Sequence, residues 1–120
     1  MLITITGETP SKKNSRNLFV KNGRMMNLPS KRYAEWEKDA LLQLQSQFKG
    51  CAEGKVTIAY TFYVGTLRRK DVDNMIASVN DVLVKAGLII DDDWTHLAIG
   101  AGDAELDRDN PRAELFIEED

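Results

Sequence analysis

Arg68-Arg69-Lys70-Asp71-Val72-Asp73-Asn74 leads into an apolar, periodic segment, and Leu88-Ile89-Ile90-Asp91-Asp92-Asp93 follows it. The spacing between them predicts a helix over about residues 74–86. Met75, Val79, Val82, Leu83 and Ala86 form one apolar stripe, and Gly87 stands where a glycine commonly ends a helix. Before this helix, Lys55 to Val64 is rich in β-branched and aromatic residues and reads as a strand. After it, Leu88 to Ile90 reads as a short buried segment. Thr95–Ala101 and Ala113–Ile117 read as two last strands. At the N-terminal end, residues 1–6 alternate as a strand does. Residues 8–16, with Pro10, Ser11, Asn14 and Ser15, read as a loop. Leu18-Phe19-Val20 and Arg24-Met25-Met26 flank Asn22-Gly23, a tight-turn signal for a β-hairpin. Ser30 is the expected N-cap of a helix over about 31–47 that faces Tyr33, Trp36, Ala40, Leu41 and Leu44 to the core. Strands and two main helices without strict alternation predict an α+β fold built on a small mixed sheet. No repeat or linker divides the chain, so a single domain over residues 1–120 is expected.

The chain has 120 residues and is 42% hydrophobic, enough for one core without covalent staples. No apolar run is long enough to cross a bilayer. Met-Leu-Ile-Thr-Ile-Thr-Gly-Glu at the start lacks a basic region and reads as a strand, not a signal peptide. Cys51 is the only cysteine, so no intrachain disulfide can form, and it is expected to be unreactive. A cytoplasmic protein is expected. The net charge of -3 is unevenly spread. Residues 1–32 carry seven basic side chains against Glu8 alone, whereas residues 71–120 carry fourteen acids against Lys85, Arg108 and Arg112. Either the fold mixes these halves, or it sets a basic surface for phosphates beside an acidic one for metal.

Asp71 and Asp73 are two residues apart. Side chains at that spacing share a face on extended chain and diverge on a helix. The pair is therefore expected on the extended chain entering the helix, with Asp73 or Asn74 as its cap. Carboxylates held together repel unless a cation compensates. Mg²⁺ fits, since it binds through one or two carboxylates plus water and phosphate oxygens. The run Asp91-Asp92-Asp93 can supply a third ligand. Whether the chain returns far enough to bring Asp92 beside Asp71 and Asp73 does not follow from spacing. If they meet, phosphodiester hydrolysis is the natural reaction, with Arg68, Arg69 and Lys70 pairing to flanking phosphates. The plainer alternative makes Asp73 a helix cap, Asp71 a solvated neighbour and residues 91–93 a turn.

The remaining candidates carry less. His96 is the only histidine and is expected to be structural. The stretch Asp103, Glu105, Asp107, Asp109 lacks the glycine and final glutamate of a calcium loop and reads as a solvated hairpin connection. There is no glycine-rich phosphate loop with a lysine. Trp36 is expected in the core. Trp94 is expected to pack rather than to shield a site.

Taken together, Arg68 to Asn74, Asp81, Lys85-Ala86-Gly87 and Asp91-Asp92 resemble the RusA family of Holliday-junction resolvases, found in bacteria and their phages. Pro10-Ser11 followed by Asn14, Gly23-Arg24, and Ser30 with Tyr33 extend the resemblance more loosely across nearly the whole chain. The resemblance implies a small α+β homodimer that binds four-way junction DNA and nicks two strands symmetrically, using Mg²⁺, with Mn²⁺ as an alternative. It maps the essential aspartates to Asp71, Asp73 and Asp92, with Asp91 beside them. It also makes Lys12, Lys13, Asn14 and Arg16 a DNA-contacting element alongside Arg68, Arg69 and Lys70. One departure stands out. The best-studied branch carries a lysine four residues after the second aspartate of the pair, where this chain has Ala77. Lys13 or Lys70 would have to substitute for it. The alternative is a junction-binding module of the same fold with weakened catalysis. A hydrolase of free nucleotides fits less well, because the basic N-terminal half suits a phosphate backbone.

Overall fold

The computed structural model describes residues 1–11, 16–21 and 24–120, with side chains described for residues 1–11 and 30–120. In chain order the elements are β1 (Leu2–Thr6), β2 (Arg16–Lys21), β3 (Arg24–Pro29), α1 (Lys31–Leu44), β4 (Val56–Val64), α2 (Val72–Ala86), β5 (Leu97–Leu106) and β6 (Arg112–Glu119). Four strands form one sheet in the order β1-β6-β4-β5. β4 and β5 are parallel, and the β1–β6 and β4–β6 pairs are antiparallel. The expected mixed sheet with two helices is therefore present. β2 and β3 form a separate antiparallel ribbon, and the Asn22-Gly23 turn lies outside the described residues.

Alternation sets the layers. Val56, Ile58, Tyr60 and Phe62 of β4 point to one face with Ile3 and Ile5 of β1 and Ala113, Leu115 and Ile117 of β6. Both helices cover that face, and the opposite face of β4, with Thr57, Ala59, Thr61 and Tyr63, is half-buried. α1 buries Tyr33, Trp36, Ala40 and Leu44. α2 buries Met75, Ile76, Val79, Val82 and Leu83, together with the polar Ser78 and Asn80. The helices are clamped by Lys85, whose ammonium reaches Glu37 at 2.9 Å and Asp81 at 3.4 Å. Among the described residues no helix is long and apolar enough to cross a membrane.

Caps place the helix ends. The Ser30 hydroxyl accepts the Tyr33 N–H at 3.2 Å. Gly87 has φ 83°, a left-handed conformation that glycine adopts without penalty. The Gly87 N–H donates to Val84 O and the Leu88 N–H to Leu83 O, each at 3.0 Å. That closure ends α2 where the sequence predicts.

Three expectations change. α1 stops at Leu44, short of residue 47. Gln43 in its last turn and Gln47 just past its end serve β1. Gln43 donates to Thr6 O at 3.1 Å and accepts the Thr6 N–H at 2.7 Å, and Gln47 donates to Thr4 O at 2.7 Å and accepts the Thr4 N–H at 2.9 Å. These amides stand in for a neighbouring strand and close that edge. α2 starts at Val72, before residue 74, which alters the site described below. The acidic stretch is not a hairpin connection. β5 extends to Leu106, and β4 lies between β5 and β6. The crossover through α2 makes β5 parallel to β4, so β6 takes the other side of β4 as its antiparallel partner. Residues 107–111 bridge that step, with the Asp107 N–H on Val64 O at 2.8 Å.

Candidate active site

Asp71 is the N-cap of α2, with extended φ −79° and ψ 130°. Its carbonyl accepts the Asn74 and Met75 N–H groups at 3.1 and 3.2 Å, which closes the first helical turn on it. Asp73 therefore lies inside that turn, not on the extended chain with Asp71, and neither Asp73 nor Asn74 is the cap. The expected shared extended face is corrected accordingly. The two carboxylates are both exposed, and both sit at the positive end of the helix dipole. Asn74 donates its side-chain amide to the Asp71 carboxylate at 3.3 Å, giving the asparagine of Asp-X-Asp-Asn a steering part.

The chain before Asp71 is anchored by a residue that the sequence reading passed over. Glu8 accepts the Gly65 N–H at 2.7 Å and lies 3.3 Å from the Lys70 ammonium and 3.2 Å from the Arg32 guanidinium. Lys70 also donates to Thr9 O at 3.0 Å. Below this, the Ser78 hydroxyl donates to Pro10 O at 2.7 Å. Residues 8–10 are thus stitched to the 65–70 loop and to α2. Burial opposes ionisation of Glu8, but the Gly65 N–H and the Lys70 charge outweigh it and hold the carboxyl below its ordinary value. Burial wins at Lys70, whose ammonium is held below its usual range despite Glu8. Lys70 is therefore a half-buried latch in this structure, its ammonium shared by Glu8 and the Thr9 carbonyl. Arg68 and Arg69 are exposed, and neither makes an ion pair among the described residues. Lys12, Lys13 and Asn14 lie outside the described residues, as does the side chain of Arg16, whose backbone opens β2.

The second acidic segment separates into roles. Asp91 accepts the N–H of Asp92 at 2.8 Å. Asp93 accepts the Thr95 hydroxyl at 2.9 and 3.0 Å and pairs with His96 Nδ1. The Asp93 carbonyl takes the N–H groups of His96 and Leu97 at 3.0 and 2.9 Å. The His96 bond, with Thr95, holds the Asp93 carboxyl below its usual range. His96 is thus committed through Nδ1 to Asp93. Asp92 is exposed, and its carboxylate makes no hydrogen bond or ion pair among the described residues.

A buried pair ties this side to α2. The Tyr60 hydroxyl donates to Asn80 Oδ1 at 2.5 Å. Burial and the charge of Asp92 together keep the phenol above its ordinary value, although the Asn80 bond acts against them. Asp92 is thus within electrostatic reach of Tyr60. Asn80 lies seven residues, about 10 Å, along α2 from Asp73. Gly102 of β5 lets the helix start come close, since a Cβ there would stand 3.0 Å from Ile76 Cδ1 and 3.4 Å from Val72 Cγ1.

No three acidic, histidine or cysteine side chains stand together closely enough to hold a metal among the described residues. The chemistry of the donors still suits a hard cation. Asp71, Asp73 and Asp92 offer exposed carboxylate oxygens with no cationic partner, and like charges keep apart until a cation compensates. Glu8, Asp93 and Asp107 are committed elsewhere, Asp107 to Arg112 at 3.0 Å.

Residues 8–118 match the family model described as endodeoxyribonuclease RusA. The chain belongs to the RusA family. A RusA relative from Aquifex aeolicus (strain VF5), named crossover junction endodeoxyribonuclease RusA, is 36% identical over 84 residues. That alignment covers 69% of this chain and 65% of the relative, a little under two thirds of the relative's length. The RusA match spans Glu8, Asp71, Asp73 and Asp92 together. Glu8 was missed because a single acid before a Pro-Ser loop has no periodic signature. Asn80 did leave a signal, a polar residue beside Val79 on the buried side of a helix.

Proposed function

We propose that this chain is a Mg²⁺-dependent, structure-selective endonuclease that resolves four-way DNA junctions by paired nicks, acting as a homodimer. The observation that carries this reading is the set of uncompensated carboxylates, Asp71 and Asp73 at the start of α2 and Asp92 on the return, in a RusA-family chain. Asp71, Asp73 and Asp92 would hold the metal, with Asp91 beside them. Mn²⁺ is the natural alternative ion. A bound divalent cation supplies Lewis acidity at the phosphoryl oxygen and neutralises the leaving oxygen. The protein's own part is orientation. Asn74 steers Asp71, the Glu8–Lys70 latch fixes the approach to the helix, and exposed Arg68 and Arg69 would pair with flanking phosphates. Lys12, Lys13, Asn14 and Arg16 are assigned to DNA contact on the same reading. Two copies suit two nicks, because a two-fold dimer presents two equivalent centres to a substrate of similar symmetry.

Ala77 favours a second reading, a junction-binding module with weakened catalysis, since no lysine projects from that turn of α2. Metal omission separates the two. Cleavage with Mg²⁺ that stops in EDTA and in Asp92→Asn, with DNA binding retained, supports the enzyme. Binding without cleavage in both Mg²⁺ and Mn²⁺ supports the module.

A further inference from the structure

We propose that Trp94 is a base-stacking residue that reads the open centre of a DNA junction next to the reacting phosphate. This rests on the junction-nuclease reading above. The expectation that Trp94 packs is overturned, because the residue is 79% exposed. The other tryptophan, Trp36, is 8% exposed and lies in the core. The exposure of Trp94 is built into the turn that carries it. Asp93 binds Thr95 and His96 through its carboxylate, and its carbonyl accepts the His96 and Leu97 N–H groups. The indole is thereby held outward on a fixed backbone.

Position and charge select a nucleobase as the occupant. Trp94 is two residues from Asp92, so their Cα atoms are at most about 7 Å apart. A strand whose phosphate engages Asp92 would pass within reach of the indole. The Lys55 ammonium stands 5.8 Å from the ring centroid. That cation covers part of one ring face and is placed for a phosphate beside a stacked base. Within a linear duplex every base face is covered by its neighbours. At a four-way junction the stacks are interrupted, and the pairs at the crossover can present a face to an aromatic side chain. Trp94 would therefore add affinity for the junction and little for the duplex.

Tryptophan emission tests this directly, with labelled DNA anisotropy run in parallel and EDTA present to withhold metal. Binding of a four-way junction should quench the Trp94 component and shield it from acrylamide, while linear duplex should not. A 2-aminopurine at the crossover should report the contact from the DNA side. Stacking on one base is worth a factor of roughly ten in affinity, so Trp94→Ala should lower the junction-to-duplex affinity ratio about tenfold, and Trp94→Phe should recover most of it. Junction binding with unchanged Trp94 emission and an unchanged ratio in Trp94→Ala overturns the proposal. So does Trp94 emission that changes with protein concentration alone, which would place the ring in an interface between copies. Failure of the wild-type chain to bind the junction at all, seen by anisotropy, overturns the nuclease reading first and this inference with it.

Discussion

Replacing Glu8 with alanine removes three contacts at once, and their burial decides what each is worth. The Gly65 N–H to Glu8 bond is 2.7 Å and charge-assisted, a class worth about 1.5–3 kcal/mol. The Lys70 contact is 3.3 Å between side chains only 12% and 18% exposed. Its loss leaves an ammonium mostly out of water with the Thr9 carbonyl as its remaining partner, adding about 1 kcal/mol or more. Arg32 is 62% exposed, and its contact counts for little. Glu8→Ala should therefore cost about 3 kcal/mol, read as a lower urea midpoint at unchanged slope. The pH dependence follows from the sign of the Glu8 shift. A carboxyl held below its ordinary value stabilises the fold above that ordinary value and loses the contribution as pH falls through its lowered one. The stability difference between wild type and Glu8→Gln should shrink over that acidic window and stay flat above it. A cost of Glu8→Ala under about 0.5 kcal/mol, in the range of ordinary surface substitutions, would refute the latch.

Tyr60→Phe keeps the ring and strands Asn80 Oδ1 in the core, for a loss of about 1–3 kcal/mol in thermal or denaturant unfolding; an unchanged midpoint would show the pair to be idle. Gln43→Ala with Gln47→Ala should cost about 2 kcal/mol and open the β1 edge, seen as concentration-dependent association in sedimentation. A monodisperse double variant of wild-type stability would contradict that capping role.

The fold was legible where one local signal and one burial pattern agreed. The α2 stripe ended by Gly87, the Ser30 cap and the alternation of β4 all point to the elements observed. Strand order was not legible, because the insertion of β4 between β5 and β6 depends on a pairing that no local run encodes. The start of α2 was misread for a related reason. Val72 is β-branched and sits between two aspartates, so local preference favours extended chain, whereas Val72 packs toward Gly102 and the helix begins there. Asp71, Asp73 and Asp92 stood out as carboxylates with nothing local to neutralise them. Lys70 looked like a phosphate contact because its partner, Glu8, is sixty-two residues away in the chain. Trp94 was expected to pack because an indole usually does, and the turn that holds it outward rests on bonds to Asp93 that no local run encodes.

The most direct measurement is cleavage of an end-labelled synthetic four-way junction and a matching linear duplex with Mg²⁺, using wild type and Asp73→Asn. Asp73 is exposed, so the variant should fold and bind as wild type does while losing cleavage. Paired, symmetric nicks in the junction alone, absent from Asp73→Asn, are the expected result. Equal cutting of duplex and junction, or wild-type cutting by Asp73→Asn, would contradict it.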